Sequence, residues 1–236
     1  MDIESYSKYK KFYYGDGASD LLLKYLNKSK WESFLDLGCG DGLLLRALDR
    51  LGYLKNKKVF GVDLSEERIN LAKEINKDFI CFAENACDIK SIKNNSIDFL
   101  VSTQLIEHVS DDKKMIKEID RVLAKNGIVY LTTNFRKWFG WYFYRNNGKW
   151  VLDPTHIREY SKDEELLDIL NKYNFKVIEI RKTHSKRSLR DFILKRLGAG
   201  VYIYKNKFLK SLPVLGITIP GYYEWEIIFI RGNNNL

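Results

Sequence analysis

The chain has 236 residues, 45% hydrophobic and 30% charged, which is the balance of a folded globular protein and not of a disordered one. No apolar run reaches the 18 residues of a membrane span, the N-terminus lacks a signal-peptide core, and three cysteines without a C-x-x-C fit a reduced, cytoplasmic setting. The formal charge of +9 is concentrated: Arg181 to Gly221 holds ten Lys/Arg against one Asp and so carries all of it.

Residues 5–14 are rich in tyrosine and lysine, and Gly15 to Gly17 break that stretch. Ser19 then stands as the N-cap of a helix to about Leu26, with Leu22, Leu23 and Leu26 on one side. This helix either covers a ligand or packs on the sheet. Ser33 to Leu37 reads as a buried strand that breaks into Gly38, Gly40 and Gly42, followed by the helical run LLLRALDRL. Strand, glycine turn and helix form a nucleotide-type cofactor site, because glycine lets backbone approach a ligand and a helix N-terminus offers unpaired N–H groups. A dinucleotide site needs G-x-G-x-x-G. Here the third glycine comes one residue early, and Asp36 lies two before the first.

At this motif the chain resembles the class I S-adenosylmethionine-dependent methyltransferases, of the type 11-like small-molecule kind, whose first motif is D/E-x-G-x-G-x-G. The resemblance implies that Asp36, Gly38, Cys39 and Gly40 bind S-adenosylmethionine, with S-adenosylhomocysteine as product. The sulfonium and amino-acid end of that cofactor suits an acidic group near the turn. Lys58 to Asp63 is the second strand, and Ser65 caps the helix after it. Asp63, 25 residues beyond Gly38, is placed to accept the ribose hydroxyls, with Leu64 beside it. Phe79 to Phe82 is the third strand. The loop that follows resembles the family's adenine-holding segment, with Asn85, Ala86, Cys87 and Asp88 in its positions. Whether Asn85 or Asp88 meets the adenine amino group stays open. Ile97 to Thr103 is the fourth strand and Gly127 to Thr133 the fifth, with Gln104 counted among the cofactor contacts.

Residues 134–160 are irregular and aromatic, and DPTHIREYS resembles a recurring family segment ahead of a helix. Ser161 is expected to cap the helix KDEELLDILNKYN, and Phe175 to Ile180 to form the sixth strand. Arg187 to Leu197 reads as a basic amphipathic helix, KSLPVLGITIPGYY as a turn-rich loop, and Tyr222 to Arg231 as the seventh strand. The expected fold is α/β: one domain with a doubly wound, seven-stranded, mostly parallel sheet. An N-terminal cap region (1–30) and insertions after strands 5 and 6 (134–160 and 185–221) would cover the substrate.

Methyl transfer mainly needs alignment, and a hydroxyl acceptor also needs a base. His156, near Asp153 and Arg158, is the first catalytic candidate, and bracing the insertion is its other reading. His108 is the second. With Glu107 it resembles part of the E-x-x-E-H element of quinone O-methyltransferases, which can serve a divalent metal. Gln104 replaces that element's first glutamate, so no required metal is expected. His184 is read as structural. The expected function is methyl transfer to a small-molecule, amphiphilic acceptor. The alternatives are a tRNA or rRNA methyltransferase using the 181–221 segment, or a silent cofactor-binding regulatory module. That segment could track phosphate, contact an anionic membrane peripherally, or be a solvated lid or dimer face.

Overall fold

Short apolar runs separated by amphipathic stretches build a sheet covered on both faces, as a parallel sheet requires. The structure, a computed structural model, describes residues 17–142, 144–190, 193 and 215–232. In chain order its elements are α1 (Asp20–Lys28), β1 (Ser33–Leu37), α2 (Leu43–Arg50), β2 (Lys58–Asp63), α3 (Glu66–Lys73), β3 (Ile80–Ala83) and β4 (Ile97–Thr103). These are followed by α4 (Asp112–Val122), β5 (Leu123–Arg136), a hairpin of β6 (Tyr144–Asn146) and β7 (Lys149–Val151), α5 (Glu164–Lys172), β8 (Phe175–Ser188) and β9 (Gly216–Arg231).

The main sheet has seven strands in the order β3-β2-β1-β4-β5-β9-β8. Strands β1 to β5 pair in parallel, and β9 runs antiparallel between β5 and β8. Strand order reverses between β1 and β4, and in such sheets the ligand crevice lies beyond the strand C-termini at that switch. Alternate strand residues feed two cores. Leu35, Leu100, Leu131 and Phe229 meet α4 and α5 on one face, while Phe34, Phe99, Val101 and Tyr130 meet α1, α2 and α3 on the other. Burying each of the larger apolar side chains contributes roughly 1.5–3 kcal/mol. No helix among the described residues is long and apolar enough to cross a membrane.

The last two strands run further than the sequence pattern predicts. Lys186, Arg187 and Ser188 pair with Thr218, Ile217 and Gly216, so the predicted basic helix does not begin at Arg187. Only Leu189 and Arg190, then Ile193, are helical, and the rest of that segment lies outside the described residues. Residues 216–222 of the predicted turn-rich loop are likewise strand. Residues 134–136 continue β5, and the aromatic stretch beyond holds the β6–β7 hairpin. Ser161 is not the N-cap of α5. That position is Asp163, and Ser161 instead donates its N–H and hydroxyl to Glu165. Residues 5–14 and the tail after Gly232 also lie outside the described residues.

Candidate functional site

A cavity of about 900 Å³ opens at the strand C-termini. Its floor is the glycine turn. Gly38, Gly40 and Gly42 all have positive φ, and a Cβ on Gly38 would lie 2.9 Å from the Leu105 side chain. One on Gly42 would lie 2.4 Å from Ile75 and 3.2 Å from the Ala72 backbone. Only glycine meets both demands, so α2 begins beside the floor with no side chain capping it. The turn is pinned from β2: Gly38 and Cys39 donate their N–H groups to the Val62 carbonyl. Asp63 accepts from the N–H of Gly40 at one oxygen and of Ser65 at the other, both at 2.9 Å.

Asp36 is the most unusual group here. Only 1% of it is exposed, and among the described residues neither carboxylate oxygen has a hydrogen-bond partner. Burial, with the Asp63 charge second, pushes its carboxyl up to about 7. Such a carboxylate on a cavity wall is a place for a cationic ligand group. Burial pushes the neighbouring Cys39 thiol up as well, which makes it a poor nucleophile.

Leu64, Asn85, Ala86, Gln104 and His108 also line the cavity. The structure departs from the sequence reading at Cys87 and Asp88, which do not. Asn85 folds into a tight turn in which its Oδ1 accepts from the Cys87 N–H and its carbonyl from the Asp88 N–H. The Cys87 thiol is thereby directed to the Asp111 carbonyl, and the exposed Asp88 carboxylate to Lys90 at 3.4 Å. Gln104 has φ of 50°, a strained conformation. Thr132 and Asn134 on β5 hold it there by hydrogen bonds to its N–H and its side-chain amide.

His156, the first catalytic candidate, lies behind the main cavity's wall. It is buried with Nδ1 2.7 Å from Glu159, and it lines a separate cavity of about 390 Å³. His108, not His156, reaches the main cavity, with Nδ1 3.3 Å from the Thr155 carbonyl. The two imidazoles meet edge to face with ring centres 4.8 Å apart. Together with Glu107 they bring three ligand-type atoms within 4.8 Å of one another, a grouping with metal-ligand chemistry that the sequence spacing did not reveal. Glu107 is fully buried and accepts from Thr133 and Asn134, and burial raises its carboxyl while His156 opposes that rise. The Glu107 carbonyl also takes the N–H groups of Ile157 and Arg158, which ties the aromatic insertion to the loop after β4. Arg158 completes that tie by donating to the carbonyls of Ile106, Val109 and Ser110.

The far wall of the cavity holds Ser19 and Leu22 from the helix region read as a possible ligand cover, and Tyr130, Thr132 and Glu224, to which no motif pointed. A signal was present in β9: in EWEIIFI, Glu224 and Glu226 alternate with Trp225 inside an otherwise apolar strand. Two of the ten cations of the basic segment are spent internally, Arg181 on Glu226 and Lys182 on Asp163.

Comparison with known proteins agrees with this geometry. The family model described as "Methyltransferase domain" matches residues 35–131. A "Ubiquinone biosynthesis O-methyltransferase" of Pelagibacter ubique is 33% identical over 148 residues, 59% of this chain and 60% of that protein. The protein of the same description from Coxiella burnetii is 26% identical over 188 residues, 74% of this chain and 77% of its own. The chain thus spans about 60% of the length of the Pelagibacter relative. The crystal structure of a putative methyltransferase from Bacillus halodurans shares the fold, with a TM-score of 0.64 at 17% identity over 92% of this chain and all of that one.

Proposed function

We propose, from the premise that this chain belongs to the class I S-adenosylmethionine-dependent methyltransferases, that it methylates a hydroxyl group on a small amphiphilic molecule. The observation that carries this reading is Asp36, a buried carboxylate without a partner above a floor of three positive-φ glycines. When bound, S-adenosylmethionine supplies an activated methyl group. Asp36 would take the ammonium of its amino-acid end, which restores the ion pair that burial denies the free protein. The glycine turn lets the backbone approach closely. Asp63 spends one lone pair of each oxygen on the turn and keeps capacity for the ribose hydroxyls. Asn85 has its oxygen engaged, so it would offer Nδ2 to the adenine, with Ala86, Leu64 and Gln104 closing the walls.

Methylation at oxygen is the chemistry named for the relatives, and a hydroxyl acceptor fits a cavity whose lining is mainly apolar and acidic. Among the described residues the lining disfavours a phosphodiester: it includes Asp36, Asp41, Asp63, Glu84 and Glu224 against Arg68. His108 orients on Thr155 at the acceptor side, while His156 acts from behind it as a brace.

Calorimetric titration of S-adenosylmethionine and S-adenosylhomocysteine into wild type and Asp63→Ala, followed by methyl transfer to octyl 3,4-dihydroxybenzoate, tests the proposal. Micromolar binding that Asp63→Ala weakens at least tenfold, with methylated probe formed, is the expected result. No binding of either cofactor form to wild type would overturn it.

A further inference from the structure

On the proposed reading, the sheet divides the cavity into a cofactor end over β1–β3 and an acceptor end over β5 and β9. From Asp63 on β2 to Glu224 on β9 the sheet crosses four strand spacings, about 19 Å. Asp36, Asp63 and Asn85 belong to the first end. Among the described lining residues, Glu224 is the carboxylate drawn from β5 or β9 at the second.

Its setting follows from strand alternation. Trp225 faces the core between Phe135 and Tyr160, so Glu224 and Glu226 share the opposite face of β9. Glu226 stands opposite Arg181 of β8, and it is satisfied by that guanidinium and by the hydroxyls of Ser19 and Tyr130. One step toward the strand end of β5, Glu224 stands opposite Thr183 of β8 and Asn134 of β5, neither of them a cation. Among the described residues no hydrogen bond or ion pair engages its carboxylate, and this exposed side chain lines the cavity together with Tyr130 and Thr132. Two carboxylates two residues apart on one strand face thus have opposite fates: one is consumed by the fold and the other is presented to the cavity.

We propose that Glu224 is the acceptor-binding group of this protein and takes a hydroxyl of the acceptor as hydrogen-bond donor. An unpaired carboxylate on a cavity wall accepts from a hydroxyl donor and repels an anion, so it selects for the first and against the second. Partial desolvation by the surrounding wall, and then the Glu226 charge, raises its carboxyl, while Arg187 and Arg181 pull the other way. Those two guanidinium groups already supply positive charge nearby. A neutral hydroxyl therefore suits the site better than an ammonium, which would have to share that space.

The test is binding, with the protein saturated in S-adenosylhomocysteine so that no turnover enters. Octyl 3,4-dihydroxybenzoate and octyl 3,4-dimethoxybenzoate, alike except for the two donors, are titrated into wild type, Glu224→Gln and Glu224→Leu. Wild type is expected to prefer the diol by about tenfold or more, and Glu224→Leu to reduce that preference to about twofold or less. Glu224→Gln is expected to fall between them, since its amide carbonyl still accepts. Unchanged affinity for S-adenosylhomocysteine in both variants shows that the fold is intact. An equal diol preference in wild type and Glu224→Leu would overturn the assignment and leave the methyltransferase reading standing. Wild type that binds S-adenosylhomocysteine but neither ester would overturn the hydroxyl acceptor and the role of Glu224 with it. Failure to bind S-adenosylhomocysteine at all would instead strike the cofactor reading.

Discussion

The two ends of the cavity are made from different materials. The end over β1–β3 is shaped by backbone: three glycines at positive φ, the Val62 carbonyl holding two N–H groups, and Asp63 fastening the turn. The end over β5 and β9 is shaped by side chains drawn from α1, β5, β9 and the insertion after β5. Backbone geometry tolerates few sequences, whereas a wall of side chains can be rebuilt position by position. The difference accounts for a family match that covers residues 35–131 and stops at β5.

The largest effect should come from breaking the backbone end. Gly42→Val places a branched side chain at φ of 77° against Ile75 and the Ala72 backbone. Denaturant unfolding should show a loss of roughly 3 kcal/mol or more. Asp36→Asn should weaken S-adenosylmethionine about 100-fold in calorimetry, because the ammonium loses its charged partner. Its titration gives a pH signature. The folded, ligand-free carboxyl is raised from 3.8 to about 7. Its contribution to stability is therefore full at low pH and lost as pH rises through about 7, with an upper bound on the order of 4 kcal/mol. Cofactor affinity should run the other way and rise from pH 6 to 8, with proton release on binding in buffers of different ionisation enthalpy. Asp36→Asn should flatten both trends.

The side-chain end should respond more gently. Arg158→Met removes donors to three carbonyls of the loop after β4. It should cost about 1–3 kcal/mol in unfolding and raise the KM for octyl 3,4-dihydroxybenzoate several-fold, while affinity for S-adenosylhomocysteine changes less than threefold. Smallest of all is Asp88→Ala. Its carboxylate meets only an exposed lysine, so cofactor affinity should stay within twofold of wild type. A tenfold loss there would move the adenine contact away from Asn85.

The same division sets what could be read from the chain alone. Strand–glycine–helix order placed the turn, and leucines at helical spacing placed α1 and α2, because local rules decide those features. Ser65 was legible as a cap because its hydroxyl does bond the Arg68 N–H. What escaped depends on side-chain partners that spacing does not specify, some of them near in sequence and some far. His156 was drawn to Glu159 and away from the cavity by the fold of the insertion, and Glu107 found its partners on β5. Asp88 was lost to a two-residue turn that no spacing announces. The reach of β8 and β9 was hidden because the cations from Arg187 onward mimic a helical face, while the strand pairing of residues 181–187 is set by partners between 217 and 226. Glu224 was visible only as one of two acids in an apolar strand, and the sequence gives no sign that Arg181 chooses Glu226.

Strands β8 and β9 continue as a two-stranded ribbon beyond their last pairing with β5, which ends at Tyr222. At its tip the Leu189 N–H meets the Leu215 carbonyl at 2.9 Å, so the chain between them leaves and returns at one point. A loop pinned at its mouth costs only about 0.6 kcal/mol more to close each time its length doubles. What joins Leu189 to Leu215 can therefore change in length at little cost to the paired strands. Residues 191–214 carry five Lys/Arg against one Asp, +4 of the chain's +9, so its charge can be retuned there while the ribbon that holds both ends keeps its register.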